Sequence, residues 1–321
     1  MISSMRIAVF GAGAVGGYFG GRLAQAGVDV TFIARGAHLE AIQQKGLRVD
    51  SLLGNFRVHP AQAVGDARMV GAVDLVILGV KAWQVREAAQ ALKPLIGPET
   101  VVLPLQNGVD AARQLGEVLG VNHVVGGLCR IISMIDAPGR INHVGGEPYL
   151  AFGDLQRQTD RRLAHLAQLF SRAEGMRVEV IDDIQAAIWK KFLLIAPWSG
   201  VGAVTRTPIG IIRDLAETRE MLEDAMHEIF QLAVAQGIDL GPDAVSLMMA
   251  FVDSLPAEGT ASMQRDIMAG QPSELIEQNG TVRRLGNSLG VATPVNSFIY
   301  SSLLPMERRA RETLARQQSP S

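Results

Sequence analysis

The chain has 321 residues, a formal net charge of −2 and a single cysteine. This length allows two domains with separate cores, and the near-neutral charge gives no electrostatic reason to expect a nucleic acid or an anionic membrane as partner. One cysteine, Cys129, excludes an internal disulfide and a multi-thiolate metal site, which favours a reducing cytoplasm. We therefore expect a cytoplasmic protein that acts on a small molecule.

The first predicted strand, 5–10, leads into a glycine-rich turn that opens a helix. The turn has the form Gly-x-Gly-x-x-Gly and consists of Gly11, Ala12, Gly13, Ala14, Val15 and Gly16. Gly11 allows the tight turn, Gly13 lets the backbone approach a pyrophosphate, and Gly16 lets helix and strand pack closely. A second apolar strand, 28–34, follows at the βαβ distance. The pattern predicts dinucleotide binding rather than a glycine-rich turn that merely packs.

The end of the second strand distinguishes NAD from NADP. An NAD site usually has a carboxylate there for the ribose 2′-hydroxyl, whereas a 2′-phosphate needs positive charge. This position holds Arg35, and Asp29 lies at the opposite end of the strand. The sequence favours NADP(H), the alternative being that Arg35 is an ordinary solvated arginine.

Up to Asp182, short β-branched runs alternate with helical stretches, which predicts an α/β domain with a doubly wound parallel sheet. Later strands are expected at 74–78, 101–105 and 178–181. Segments 139–143 and 149–153 are expected to form a meander that makes the sheet mixed at one edge. Its predicted turns are Pro138-Gly139 and Gly145-Gly146.

After Asp182 and Asp183, which can cap a helix, the pattern is helical with almost no strand signal. We predict a Rossmann-type NADP(H)-binding domain over residues 1–182 and an all-helical substrate and catalytic domain over 183–321. The polar tail after Ala315 is expected to be disordered.

Ligands of an open parallel sheet bind beyond the carboxyl ends of its strands. Lys81 follows strand 74–78, and Asn107 follows strand 101–105. Lys81 could supply charge near a cofactor or a substrate carboxylate, and Asn107 could hydrogen-bond a nicotinamide ribose or a substrate oxygen. The alternative is a surface lysine and a turn Asn-Gly, but their shared edge favours function.

The first helix of the second domain carries Lys190 and Lys191 among apolar neighbours. Adjacent residues cannot share one helix face, so at least one ammonium must find water, a carboxylate or a ligand. A lysine can stabilise the charge that develops on a reduced ketone oxygen and donate the proton. Periodicity alone does not choose between the two lysines, and two snorkelling surface lysines are equally compatible.

Glu274 lies in segment 272–280, which is expected to start a helix, and by composition alone it is only a partner of the helix dipole. The six histidines show no pair at ligand spacing, and no serine lies in a Gly-x-Ser-x-Gly elbow. We expect neither a metal site nor hydrolase chemistry. The apolar stretch 192–198 is too short to span a bilayer, so no membrane association is expected.

Five motifs occur in the order found in the ketopantoate reductases (2-dehydropantoate 2-reductases), which the chain resembles over nearly its whole length. They are residues 11–16, Val80-Lys81-Ala82-Trp83-Gln84, Gln106-Asn107-Gly108, Trp189-Lys190-Lys191, and 262–266 with 273–280. The resemblance implies that NADPH reduces a 2-keto acid to a 2-hydroxy acid. Ketopantoate, reduced to pantoate in pantothenate biosynthesis, is the first candidate substrate.

The resemblance also implies roles for individual residues. It makes Lys191, two residues after the tryptophan, the catalytic lysine, and it brings Glu274 near the substrate or the nicotinamide. Arg35 is implied near the 2′-phosphate, with Lys81 and Asn107 as further cofactor contacts. Ser262 is implied as a substrate contact.

The chain departs from the family at two positions. Pantoate-making members carry asparagines four and eight residues after the catalytic lysine, where this chain has Ile195 and Ser199. An isoleucine there would leave polar substrate atoms unpaired, at a cost on the order of 1–3 kcal/mol each. The alternatives are a paralogue that reduces another keto acid or a bulkier carbonyl compound, and a non-catalytic NADP(H) sensor. Retention of Lys191 and Glu274 argues against a sensor; a homodimer is compatible with all of these functions.

Overall fold

The computed structural model describes residues 5–157 and 161–318. Two compact units share the chain: one runs to Gln106 and from Asp110 to Gln185, and the other combines Asn107–Val109 with the chain from Ala186 onward. The predicted division at Asp182 between a cofactor domain and a substrate domain stays a prediction.

The first unit alternates strands and helices. In chain order they are β1 (Arg6–Phe10), α1 (Ala14–Gln25), β2 (Asp29–Ile33), α2 (Gly36–Lys45), β3 (Leu47–Ser51), β4 (Phe56–Val58), β5 (Gln62–Val64), β6 (Val73–Leu78), α3 (Val85–Leu92), β7 (Ile96–Pro104), α4 (Ala111–Leu119), β8 (Gly126–Ala137), β9 (Arg140–Gly153), α5 (Arg161–Phe170) and β10 (Arg177–Val180). Single 3₁₀ turns occur at Ala67–Met69, Ala82–Gln84, Lys93–Leu95 and Val121–His123.

The main sheet is parallel throughout, with strand order β5-β2-β1-β6-β7. Successive side chains of β1 enter different cores: Ile7 and Val9 belong to the apolar cluster that includes α1, and Ala8 and Phe10 to the cluster that includes α3. Because a strand alternates its side chains between faces, a continuous apolar run means that both faces are covered. The predicted Rossmann-type α/β fold is confirmed.

The predicted meander at the edge of that sheet is wrong. Segments 139–143 and 149–153 are parts of one long strand, β9, in a second sheet with order β10-β9-β3-β4 and with β8 paired to β9. Pro138-Gly139 does form the turn of the β8–β9 hairpin. Gly145 and Gly146 instead lie within β9, where the pairing with β8 shifts register; Gly146 accommodates the irregularity with φ +71°.

The second unit is helical in the part that the structure describes, as predicted. Its helices are α6 (Ile184–Thr205), which starts two residues earlier in the first unit, α7 (Ile209–Asp214), α8 (Ala216–Ala235), α9 (Ala244–Ser254), α10 (Ser262–Met268), α11 (Asn279–Leu289) and α12 (Pro294–Gln318). They surround one apolar cluster that includes Phe192, Leu222 and Ile299.

Two local predictions in this unit are wrong. Segment 272–278 is irregular, and the helix begins only at Asn279, so Glu274 precedes it instead of lying in its first turn. The expected disorder after Ala315 is wrong as far as Gln318, because arginine and glutamine are good helix formers and extend α12. Residues 1–4 and 319–321 lie outside the described residues.

Candidate active site

The glycine-rich turn connects β1 to α1, and its three glycines meet different surroundings. Gly11 has φ +90°, and a Cβ on Gly16 would come within 2.3 Å of the Gly11 carbonyl oxygen. Both positions therefore need glycine for the turn itself. Gly13 has φ −73°, which any residue adopts, and a Cβ there would meet no protein atom within 4 Å. The space beside Gly13 at the start of α1 fits the pyrophosphate of a dinucleotide.

Arg35 lies two residues beyond the end of β2 and directly precedes α2. Its side chain is 75% exposed, and its nearest carboxylate is Glu87, at 3.9 Å. Asp29 begins β2, at the opposite end, and accepts a hydrogen bond from Gln62. A weak, exposed ion pair leaves a guanidinium able to exchange its partner for a phosphate.

The residues that follow β6 and β7 differ in exposure. Lys81 is exposed, and its Nζ lies 5.7 Å from the centre of the Trp83 ring. Gln106 is buried, and its amide donates to the carbonyl oxygens of Leu78 and Val80 at 2.8 and 3.0 Å. Gln106 therefore ties the ends of the two strands together. The sequence predicted no role for Gln106 beyond its place in a motif, because its partners, Leu78 and Val80, lie at the end of another strand.

Asn107 and Glu274 meet in the second unit, although 167 positions separate them in the sequence. Asn107 Nδ2 donates to Glu274 Oε2 at 3.1 Å, and Gln278 Nε2 donates to the same oxygen at 3.2 Å. Glu274 is only 7% exposed. Two amide donors on one oxygen fix the plane of this buried carboxylate. The structure thus brings together two of the predicted site residues.

The face of α6 that contains Lys191 also contains Ile195 and Ser199, at i+4 and i+8. Lys191 and Ile195 are half-buried, whereas Lys190 is exposed. Ser199 is fully buried, and its hydroxyl has no hydrogen-bond partner among the described residues. Of these three residues, Lys191 and Ile195 are therefore the two that solvent reaches.

Ser262 is half-buried at the first position of α10. Its predicted substrate contact stays a prediction.

Glu277 was not predicted from the sequence, yet it is the most perturbed acid near Glu274. Burial raises the pKa of Glu277 to about 7, helped by the charges of Glu274 and Glu307, while Arg311 opposes the shift. The Arg311 guanidinium lies 3.7 Å from Glu277 Oε2, which accepts no hydrogen bond among the described residues. The sequence does not predict that Glu274 and Glu307 both lie close to Glu277, because Glu307 comes from α12, 30 positions further along the chain.

Within 5–157 and 161–318, no group of three or more His, Cys, Asp or Glu residues is arranged to hold a metal ion. No helix in the same ranges is both long and apolar enough to cross a membrane. Cys129 is buried, and its thiol donates weakly to the Leu105 carbonyl oxygen at 3.5 Å.

The first unit has a glycine-rich turn on a parallel α/β sheet, and the helical unit that follows in sequence contains a half-buried lysine and a buried glutamate. These features are typical of an oxidoreductase that uses a dinucleotide. The sequence pattern of the family described as ketopantoate reductase PanE/ApbA matches residues 7–157, and the pattern of its C-terminal part matches 183–307. The chain belongs to the ketopantoate reductase family.

Similar proteins extend over nearly the whole chain. The uncharacterized oxidoreductase YkpB of Bacillus subtilis is 32% identical and covers 93% of this chain and 98% of its own length. A 2-dehydropantoate 2-reductase of Mesorhizobium japonicum is 31% identical, over 90% and 94% of the two chains. The crystal structure of a PanE/ApbA family ketopantoate reductase from Ralstonia eutropha superposes with a TM-score of 0.87 at 31% identity, over 96% of this chain and 100% of the other.

Proposed function

We propose that this protein reduces a 2-keto acid to a 2-hydroxy acid with NADPH, and that ketopantoate is the first substrate to test. The observation that carries the proposal is the hydrogen bond between Asn107 and Glu274. The two residues come from separate motifs of a reductase family, and the amide of Asn107 binds the buried carboxylate of Glu274. A few convergent polar groups of this kind are typical of a site for a small polar substrate. The single buried cysteine supports a cytoplasmic location.

The first unit supplies the groups that would hold the cofactor. The turn from Gly11 to Gly16 would receive the pyrophosphate beside Gly13, and Arg35 would bind the 2′-phosphate through charge-assisted hydrogen bonds. The exposed Lys81 would add positive charge at the carboxyl end of β6. When bound, the nicotinamide supplies the hydride that reduces the carbonyl carbon.

In the second unit, Lys191 would act on the carbonyl oxygen. Negative charge develops on this oxygen as the carbon is reduced, and an ammonium both stabilises the charge and donates the proton that completes the hydroxyl. Glu274, oriented by Asn107 and Gln278, would align the substrate, and Ser262 would contact it through its hydroxyl. Lys190 is exposed and takes no part.

The substrate itself is open between ketopantoate and a less polar 2-keto acid. Ile195 follows Lys191 by one helical turn and packs partly against the apolar core of the second unit. An isoleucine offers no hydrogen bond to a substrate hydroxyl, which favours a substrate with an apolar group at that point.

A steady-state assay of NADPH consumption over a panel of 2-keto acids tests the proposal, with NADH measured in parallel. The panel should include ketopantoate and straight-chain, branched and aromatic 2-keto acids. We expect turnover of at least one of them, with NADPH preferred. Calorimetric binding of NADPH without turnover of any compound would instead support the non-catalytic sensor.

A further inference from the structure

Ser273, the residue before Glu274, is fully buried and held on all three of its polar groups by two charged side chains of α12. Its backbone N–H donates to the Glu307 carboxylate, at 3.2 Å to Oε1 and 3.0 Å to Oε2, and its hydroxyl donates to the same Oε2. Its carbonyl oxygen accepts from Arg311 Nη2 at 3.1 Å. Arg311 Nε in turn donates to Glu307 Oε1.

The donors around the buried Glu307 carboxylate balance its charge and satisfy its oxygens. Glu307 is 1% exposed, and among the described residues it accepts from the Arg311 guanidinium and from the hydroxyl and the backbone N–H of Ser273. A carboxylate so deeply buried persists only where a cation and several donors satisfy it. Glu307 and Arg311 lie one turn apart on α12, so the helix presents them as a fixed pair.

The position of Glu274 depends on such support because its segment has no regular helical hydrogen bonding. Residues 272–278 precede α11, and two backbone turn bonds close the segment: Gln278 N donates to the Glu274 carbonyl oxygen at 2.8 Å, and Gly280 N donates to the Leu275 carbonyl oxygen at 2.9 Å. A loop position otherwise gains precision only from contacts with rigid elements. Here that element is α12, which contacts α11 and α8.

We propose that Glu307 and Arg311 are positioning residues for the reductase site: they clamp Ser273 and thereby hold the Glu274 carboxylate against Asn107. The proposal rests on the proposed function for its effect on turnover. Both side chains hydrogen-bond Ser273, the residue that directly precedes Glu274, so each acts on the glutamate through Ser273. Their loss should move the carboxylate that orients the substrate, while the pyrophosphate turn in the first unit is unaffected.

The experiment compares Glu307→Gln with Glu312→Gln, an exposed glutamate on the same helix, in the full-length protein. The glutamine amide keeps the shape but replaces one acceptor oxygen by a donor that faces Ser273 or Arg311. We expect kcat to fall about 10- to 100-fold for Glu307→Gln, since a misplaced group costs on this order. NADPH affinity should be unchanged, and Glu312→Gln should match the wild type in both respects.

Two further variants keep the proposal testable if Glu307→Gln does not fold. Ser273→Ala removes only the two contacts of the hydroxyl, which donates to Glu307 and accepts from Leu275 N at 3.3 Å, and should lower kcat less. Arg311→Lys keeps the charge opposite Glu307 but loses the fork that reaches the Ser273 carbonyl, and should fall between wild type and Glu307→Gln.

The NMR resonance of the Asn107 side-chain amide reports its hydrogen bond to Glu274 without any turnover. We expect it to shift in Glu307→Gln or Ser273→Ala and to stay in place in Glu312→Gln. Wild-type kcat and an unshifted Asn107 amide in the clamp variants would overturn the positioning role, even if their melting temperatures fell. If the wild-type protein reduces no keto acid, the proposed function fails, and the Asn107 resonance alone then decides whether the clamp positions Glu274.

Discussion

Gly13 and Gly16 belong to the same turn but answer to different constraints. A Cβ on Gly16 would strike the backbone of Gly11, whereas a Cβ on Gly13 would point into space free of protein atoms. The fold alone explains why Gly11 and Gly16 must be glycines. We infer that Gly13 is constrained by a bound cofactor instead, so its substitution should separate binding from folding.

We expect Gly13→Val to abolish NADPH binding and leave the melting temperature of the ligand-free protein nearly unchanged. The valine would occupy the space where the pyrophosphate approaches the backbone. Gly16→Ala is the contrasting control, because its Cβ would lie 2.3 Å from a carbonyl oxygen and should destabilise the unit itself. Unchanged NADPH affinity of Gly13→Val by calorimetry would show that the pyrophosphate binds elsewhere.

We expect Arg35 to select NADPH over NADH. Charge-assisted hydrogen bonds to a phosphate contribute about 1.5–3 kcal/mol, so Arg35→Ala should weaken NADPH binding roughly ten- to hundredfold and spare NADH. Arg68→Ala, an exposed arginine of the same unit paired with Asp66, is the control. An equal loss for NADPH and NADH would refute the selective role of Arg35.

At the scale of elements, segment 273–278 links stability to pH through Glu277. Its pKa is raised from the ordinary 4.5 to about 7 in the folded protein, so the folded state holds the proton more tightly than the unfolded state. The resulting stabilisation is fully present below about pH 4.5 and is lost as the pH rises through about 7. Over that window the loss is about 3 kcal/mol at most.

Glu277→Gln should remove this dependence, because the amide is neutral at every pH. We expect its free energy of unfolding, relative to wild type, to rise between about pH 5 and pH 8 in denaturant titrations. Glu312→Gln should run parallel to wild type. A constant difference between Glu277→Gln and wild type across this range would mean that Glu277 does not hold a proton near neutrality.

The face of α6 beyond Lys191 should set substrate preference. Ile195→Asn restores a hydrogen-bonding amide, so the ratio of kcat/KM for ketopantoate to that for an apolar 2-keto acid should rise about tenfold, equivalent to ~1.4 kcal/mol. Val234→Asn, an exposed substitution on α8, should leave the ratio unchanged. A ratio that falls in Ile195→Asn would place the substrate side chain elsewhere.

Across the whole molecule, the sequence predicted what is local. The strand, turn and helix from Arg6 to Gln25 follow from adjacent residues, and so does the change to helices near Ile184. The second sheet was missed because it depends on pairing between β9 and the distant β3. Gly145-Gly146 looks like a turn in sequence, but β8 holds both ends of β9 in one ladder.

The site divides in the same way. Lys191 and its exposed neighbour Lys190 differ by one position on a helix, and the family resemblance, not periodicity, was needed to choose between them. The contacts of Glu274 with Asn107 and of Ser273 with Glu307 span 167 and 34 positions. No sequence spacing predicts contacts over such distances, so the clamp on Ser273 could be found only in the structure. The structure likewise showed that the helix expected from 272 begins at Asn279.

The most direct test of the account compares kcat for Lys191→Ala and Lys190→Ala on whichever 2-keto acid the wild-type protein turns over best. Removal of a positioned proton donor should lower kcat roughly 10²–10⁴-fold, so we expect that loss for Lys191→Ala with nearly unchanged NADPH affinity, and almost no effect for the exposed Lys190. A near wild-type kcat for Lys191→Ala, or a larger loss for Lys190→Ala, would contradict the account.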